Sequence, residues 1–149
     1  MIIVEDTRNQ IGKHKRLNYE LQKMGYEVVR SKLMVGDYVK LERPIVCVDT
    51  KQDYVELANN ICGKQHERFR NECIKAKNYG LSLVILVEED LPVEQWNSPL
   101  NRKGKPYTAV KGETLAKCMK TMTEKYGVEF RHCDKKDTAK IIVELLERV

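Results

Sequence analysis

The chain has no cysteine pair spaced as CxxC. Its five cysteines, Cys47, Cys62, Cys73, Cys118 and Cys133, are also odd in number, which argues against a zinc site and against a disulfide framework. Most sit among apolar residues and read as small core residues in a reducing compartment. Long hydrophobic runs are absent too. The longest, Leu81 to Val87, is too short to span a bilayer. The opening Met1-Ile2-Ile3-Val4-Glu5-Asp6 reads as a strand, not as a signal peptide. A cytoplasmic protein without a membrane partner is therefore expected. No internal repeat, low-complexity tract or interdomain linker is visible. Proline is scarce, and three of the four (Pro92, Pro99, Pro106) fall within residues 90–110.

What is present is globular in character: 149 residues, 42% hydrophobic and 33% charged. That length suggests one domain, residues 1–149, burying roughly 70% of its unfolded surface. Lys plus Arg number 27 against 22 for Asp plus Glu, a net charge of +5. Such an excess fits a nucleic-acid partner without requiring one. Residues 1–5 read as a buried strand ending at Asp6. The spacing of Leu17, Leu21 and Met24 predicts a helix over 13–24, stopped by Gly25. A second strand follows over 27–31, then a hairpin from 36–41 and 45–51, a short helix over 53–60 and a longer one over 64–79. That longer helix packs through Phe69, Cys73, Ile74 and Ala76. Residues 81–88 are so continuously apolar that they predict a central strand buried on both faces. The 90–110 stretch reads as a long connection with one helical turn near 93–96. Beyond it come an amphipathic helix over 112–126, with Leu115, Met119, Met122 and Tyr126 as core or oligomer contacts, and a strand over 128–133. A final helix, capped by Asp134, packs through Ile141, Ile142, Leu145 and Leu146. Strands and helices alternate, so the expected class is α/β, a central mixed sheet flanked by helices.

The densest chemistry lies between Gly36 and Lys51. Alternate side chains of a strand share a face, so Asp49 and Lys51 point one way and Val46, Val48 and Thr50 the other. With a turn at Glu42-Arg43-Pro44, Leu41 lies opposite Ile45, Val39 opposite Cys47 and Asp37 opposite Asp49. Opposed Cβ atoms are about 4.5–5.5 Å apart. Two carboxylates that close repel each other unless a cation lies between them. An isolated D-x-K is ordinarily a polar strand end, and a Gly-Asp ordinarily a turn. Here the triplet follows an apolar strand, a Gly-Asp opens the strand paired with it, and a third acid, Asp6, ends another strand. Acids at several strand ends converge readily on one concave site. A hard cation such as Mg²⁺ prefers such oxygen donors and keeps several waters. Lys51 would position or deprotonate a water, or stabilise charge on a phosphoryl group.

Other candidates carry two readings each. Gln65, Arg68 and Glu72 share a helix face, either a solvated, salt-bridged face or one turned to the site to contact a phosphate. Arg8 pairs with a site acid or a phosphate, or lies on the surface. His66 is unremarkable as a lone exposed histidine. Arg102, Lys103 and Lys105, with Lys111, form either a phosphate-binding rim or a solvated loop. Trp96 and Tyr107 either stack on bases or, in the case of Trp96, fold onto the body.

At Gly36-Asp37 and Asp49-Thr50-Lys51 the chain resembles the XPF-type nuclease domain of the PD-(D/E)XK superfamily. That family carries Gly-Asp, a variable stretch, then Glu-Arg-Lys with an Asp four residues later. The resemblance extends to Val4-Glu5-Asp6-Thr7-Arg8, to the helix over 65–77 and to the apolar strand over 81–88, covering about residues 1–90, and is nearest the small stand-alone forms of bacterial and phage genomes. It implies a restriction-endonuclease-like fold and a Mg²⁺- or Mn²⁺-dependent DNA endonuclease. Asp37 and Asp49, with Asp6, would hold metal, Lys51 would be catalytic, and Gln65, Arg68, Arg8, Arg102, Lys103 and Lys105 would meet DNA. Two departures stand out. Asp49-Thr50 replaces Glu-Arg, and Val55 stands where the family has its later Asp. Asp53 and Glu56 lie nearby with the spacing of a capping box. The tandem helix-hairpin-helix module that often accompanies the family is not found in these residues. A subunit that binds DNA as a scaffold without cutting it, and a homodimer paired through C-terminal helices, are the alternatives the resemblance carries.

Overall fold

A computed structural model describes residues 1–148. The first strand, β1 (Ile2–Asp6), leads through a loop into α1 (Lys15–Lys23), which ends where Gly25 takes a left-handed φ of 94°. β2 (Glu27–Ser31) returns parallel to β1. β3 (Tyr38–Lys40) then runs antiparallel to both β1 and β4 (Val46–Lys51). Tyr38 pairs with Val48, which is the register expected for the hairpin. β3 is shorter than the predicted 36–41, because Gly36 sits at φ 80° and turns the chain before the ladder begins.

After β4 come α2 (Tyr54–Cys62), α3 (His66–Asn78) and β5 (Ser82–Val87). β5 pairs in parallel with β4 on one side and with β6 (Glu129–His132) on the other, in the order β2-β1-β3-β4-β5-β6. It is interior and buried on both faces, as its continuous apolarity predicts. Leu83, Ile85 and Val87 pack with Leu57, Phe69 and Leu115 on one face, and Val84 and Leu86 with Leu21, Ile142 and Leu145 on the other. The sheet is thus layered between α2, α3 and α4 (Gly112–Tyr126) and, opposite, α1 and α5 (Thr138–Leu146). The class is α/β with a mixed sheet, as expected.

Some local expectations change. Asp134 does not cap the last helix directly. It accepts a hydrogen bond from the Lys136 amide at 3.0 Å, starting a 3-10 turn over Lys135–Asp137 from which α5 continues. Trp96 follows a 3-10 turn (Val93–Gln95) and is only 4% exposed, its ring 5.6 Å from that of Tyr54. It belongs to the core and is not placed to stack on bases. Gly112 lets α4 start against this turn: a Cβ there would lie 2.1 Å from the Val93 carbonyl oxygen and 2.5 Å from that of Trp96. Cys47, Cys73 and Cys133 are buried free thiols, while Cys62 on α2 and Cys118 on α4 stand with sulfurs 3.6 Å apart. No helix among the described residues is long and apolar enough to cross a membrane.

Candidate metal and phosphate site

Because β1 and β4 both run antiparallel to β3, the ends of β1 and β4 meet the beginning of β3 at one end of the central strands. This brings Asp6, Asp37, Asp49 and Lys51 together. They line a cavity of about 480 Å³, and α3 closes its roof with Gln65, Arg68 and Glu72. The alternation of β4 places Cys47 and Asp49 on the α2/α3 face, and Val46 and Val48 on the α1/α5 face. The predicted helix face of α3 is therefore the one turned to the cavity. Arg8 joins the same wall. Arg102, Lys103 and Lys105 do not: they sit exposed on a separate turn closed by pairing of Leu100 with Pro106.

The two central carboxylates have different surroundings. Asp37 Oδ2 accepts from the Thr50 amide at 2.9 Å and from the Thr50 hydroxyl at 2.8 Å, and Oδ1 accepts from Asn9 Nδ2 at 3.0 Å. Burial pushes this carboxyl up, but the hydrogen bonds from Thr50 and Asn9 outweigh it, and Asp37 stays below the usual carboxylate range. A carboxylate has about four lone-pair positions, so three donors leave one on Oδ1. Asp49 is 8% exposed and accepts from Lys51 Nζ at 3.0 Å. Burial, then the charges of Asp37 and Glu72, push it up to about 8, against the pull of Lys51. Burial alone would lower Lys51, but the Asp49 carboxylate raises it above its ordinary value, so it remains an ammonium.

Asp6 is only 3% exposed, and its oxygens are engaged by Arg8 Nε at 2.6 Å and the Leu33 amide at 2.9 Å. Arg8 also approaches Glu72 at 3.9 Å. In this arrangement Asp6 fixes Arg8 on the cavity rim. Asp53 accepts from the Glu56 amide at 2.9 Å and caps α2, while Glu56 accepts from the Gln52 amide at 2.8 Å and also lines the cavity. The capping reading therefore holds for Asp53. His66 is tied to the Ile61 carbonyl.

Three wall residues escaped the sequence reading. Asn9 and Thr50 supply the donors to Asp37. Asn60, 7% exposed, donates to Gln65 Oε1 at 2.6 Å, which leaves the Gln65 amide hydrogens for the cavity. A signal existed for Asn60 alone: it is a polar residue inside the buried stripe Leu57, Ala58, Ile61.

Residues 5–145 match the ERCC4 domain. Similar solved structures include XPF from Aeropyrum pernix, at TM-score 0.68 and 19% identity, covering 98% of this chain and 63% of that one. XPF from Aeropyrum pernix in complex with DNA gives TM-score 0.67 and 19% identity, covering 97% of this chain and 62% of that one. The chain thus spans somewhat under two thirds of those chains, and at this identity the likeness establishes the fold. No curated protein matches the sequence.

Proposed function

The chain belongs to the ERCC4 domain family, and on that basis we propose that residues 1–149 form one cytoplasmic nuclease domain, a Mg²⁺- or Mn²⁺-dependent DNA endonuclease. The observation that carries this reading is the convergence of Asp37 and Asp49 on one cavity, where burial and then the charge of Asp37 push Asp49 up to about 8. A divalent cation between them relieves that repulsion. The donor set fits one. Among the described residues no three Asp, Glu, His or Cys side chains gather as a ligand cluster, so two carboxylates would be supplemented by water, the usual arrangement for Mg²⁺. Asp37 and Asp49 would hold the ion, and Asp6, whose oxygens are engaged by Arg8 and the Leu33 amide, would stand beside them. The ion would activate water and neutralise charge on the phosphoryl group.

The chain's own residues do the rest. Lys51, its Nζ 3.0 Å from Asp49, would stand beside the ion. It orients the attacking water and stabilises charge on the non-bridging phosphate oxygens. Gln65 presents its amide hydrogens, and Arg68 and Arg8 their guanidinium groups, to the phosphate that enters the cavity. A second groove shares Arg8 and Arg68 and continues along α3 past Lys64 and Lys75, with Glu67 and Glu72 also in its lining, and its four cations would meet the flanking backbone. Arg102, Lys103 and Lys105 would bind more distant phosphates. The complex recorded for XPF from Aeropyrum pernix with DNA supports DNA as the substrate class. Homodimerisation is a finer reading that light scattering tests.

The deciding experiment incubates labelled single-stranded, duplex and branched DNA with Mg²⁺, Mn²⁺ or EDTA, beside Asp49→Asn and Lys51→Ala. Cleavage only with metal, lost in both variants while they remain folded, is expected. Full cleavage by both variants would refute the site. Binding of DNA with no cleavage and no Mn²⁺ uptake would select the scaffold reading instead.

A further inference from the structure

Behind Asp37 and toward the α1/α5 face, the cavity-wall residue Thr50 continues into buried polar groups, His14 and Glu5, that do not line the cavity. His14 is 9% exposed, Thr50 6% and Glu5 3%. His14 Nε2 stands 3.4 Å from Thr50 Oγ1, and its Nδ1 3.5 Å from Glu5 Oε2. The other Glu5 oxygen meets Arg30 Nε at 3.2 Å. The imidazole is stacked on Tyr38, centroids 5.5 Å apart, and the Tyr38 hydroxyl donates to Asn18 Oδ1 at 2.7 Å. His14 stands at the start of α1 but makes no side-chain capping hydrogen bond there, so capping does not account for it. Buried polar groups without such a role are costly unless each has a partner.

The direction of the hydrogens follows from Thr50. Its hydroxyl carries one hydrogen, and that hydrogen goes to Asp37 Oδ2 at 2.8 Å. Toward His14 the Thr50 oxygen therefore only accepts, so a hydrogen bond across the 3.4 Å between them needs the hydrogen on Nε2, while Nδ1, 3.5 Å from Glu5 Oε2, has no hydrogen-bond partner. A ring held by stacking presents that N–H to the hydroxyl oxygen and prevents the rotor from turning its hydrogen away from Asp37. We propose that His14 is a positioning residue for Asp37: acting through Thr50 from the far side of the sheet, it orients the carboxylate that holds the cation. The proposal rests on the metal reading above. Outer partners of metal ligands affect affinity in this way, and nothing in the D-x-K pattern points to residue 14.

The test uses the full chain and Mn²⁺ alone as probe, without DNA, by calorimetry, with melting curves alongside. His14→Leu and Thr50→Val are each expected to weaken Mn²⁺ binding roughly ten-fold. The double variant should be no weaker than Thr50→Val, because both break one chain. His14→Gln and Thr50→Ser keep an N–H donor and a hydroxyl, and should bind as the wild type does. A His14→Leu variant that binds Mn²⁺ like the wild type overturns the proposal. So does a His14→Gln variant as weak as His14→Leu, since ring volume rather than the donor would then matter. If His14→Leu fails to fold, the ¹⁵N shift of His14 in the wild type still decides: a bare, pyridine-type Nε2 refutes the chain. Absence of Mn²⁺ binding by the wild type would instead overturn the metal reading first, and this proposal with it.

Discussion

Replacing Asp49 with Asn in metal-free protein should change how stability depends on pH. Asp49 is buried and pushed up to about 8, whereas its ordinary value is 3.8. The folded state therefore keeps a proton that the unfolded chain releases between those values. Stability from this source is complete below about pH 4 and falls as pH rises toward 8. Each unit is worth about 1.4 kcal/mol. Between pH 5 and 7.5 the wild type should therefore lose about 3 kcal/mol that Asp49→Asn, with nothing to titrate there, retains. For a chain of this size that is a difference of roughly 6–12 °C in how far Tm falls. The absolute offset between the two proteins contains the lost Lys51 contact, so the slopes with pH are compared and not the offset. The assay is urea or thermal unfolding in EDTA at several pH values, then again with Mn²⁺. Mn²⁺ at about 100 times its Kd should return about 2.7 kcal/mol to the wild type and little to Asp49→Asn. Parallel pH profiles for the two proteins in EDTA would refute a protonated Asp49 in the folded state.

Arg68→Gln should weaken DNA binding across sequences and reduce the slope of log K against log salt by about 1, measured by anisotropy titrations; an unchanged slope would remove Arg68 from the phosphate path. Gly112→Ala should destabilise by about 1–3 kcal/mol in urea melts, although alanine favours helix, because the new methyl meets two backbone carbonyls; an unchanged or raised midpoint would contradict that close approach.

The fold was legible in the sequence wherever one periodicity dominated. The continuous apolarity of residues 81–88 predicts an interior strand, and the alternation of 45–51 puts Asp49 and Lys51 on one face. The register of Tyr38 with Val48 followed from a Pro-containing turn and matching apolar positions. The 3.6 period over 65–72 correctly turned Gln65, Arg68 and Glu72 one way. Legibility failed for partners that no period links. Asn9 reaches Asp37 across 28 residues from an irregular loop. Thr50 points away from the cavity by strand parity, yet its amide and hydroxyl reach back around the strand end to Asp37. Trp96 lies in a proline-rich connection whose composition suggests exposure, but Tyr54 offers it an apolar surface from α2, and tertiary packing decided the matter.

The two central carboxylates differ because the chain supplies hydrogen bonds to them unequally. Asp37 receives three donors from Asn9 and Thr50, while Asp49 has Lys51 and is otherwise surrounded by Asp37, Glu72 and apolar walls. The first carboxylate is therefore ionised whether or not a cation is present. The second, pushed up to about 8, would ionise at lower pH only with a cation beside it. In such a pair the metal affinity must rise with pH until Asp49 ionises without help. The donors to Asp37 come from the loop before α1 and from the strand end itself, whereas the repulsion on Asp49 comes from α3 and the facing strand. Readiness of one ligand and reluctance of the other are thus set by different parts of the fold. A substitution behind the sheet, at His14, should disturb the first, and one on α3, at Glu72, the second.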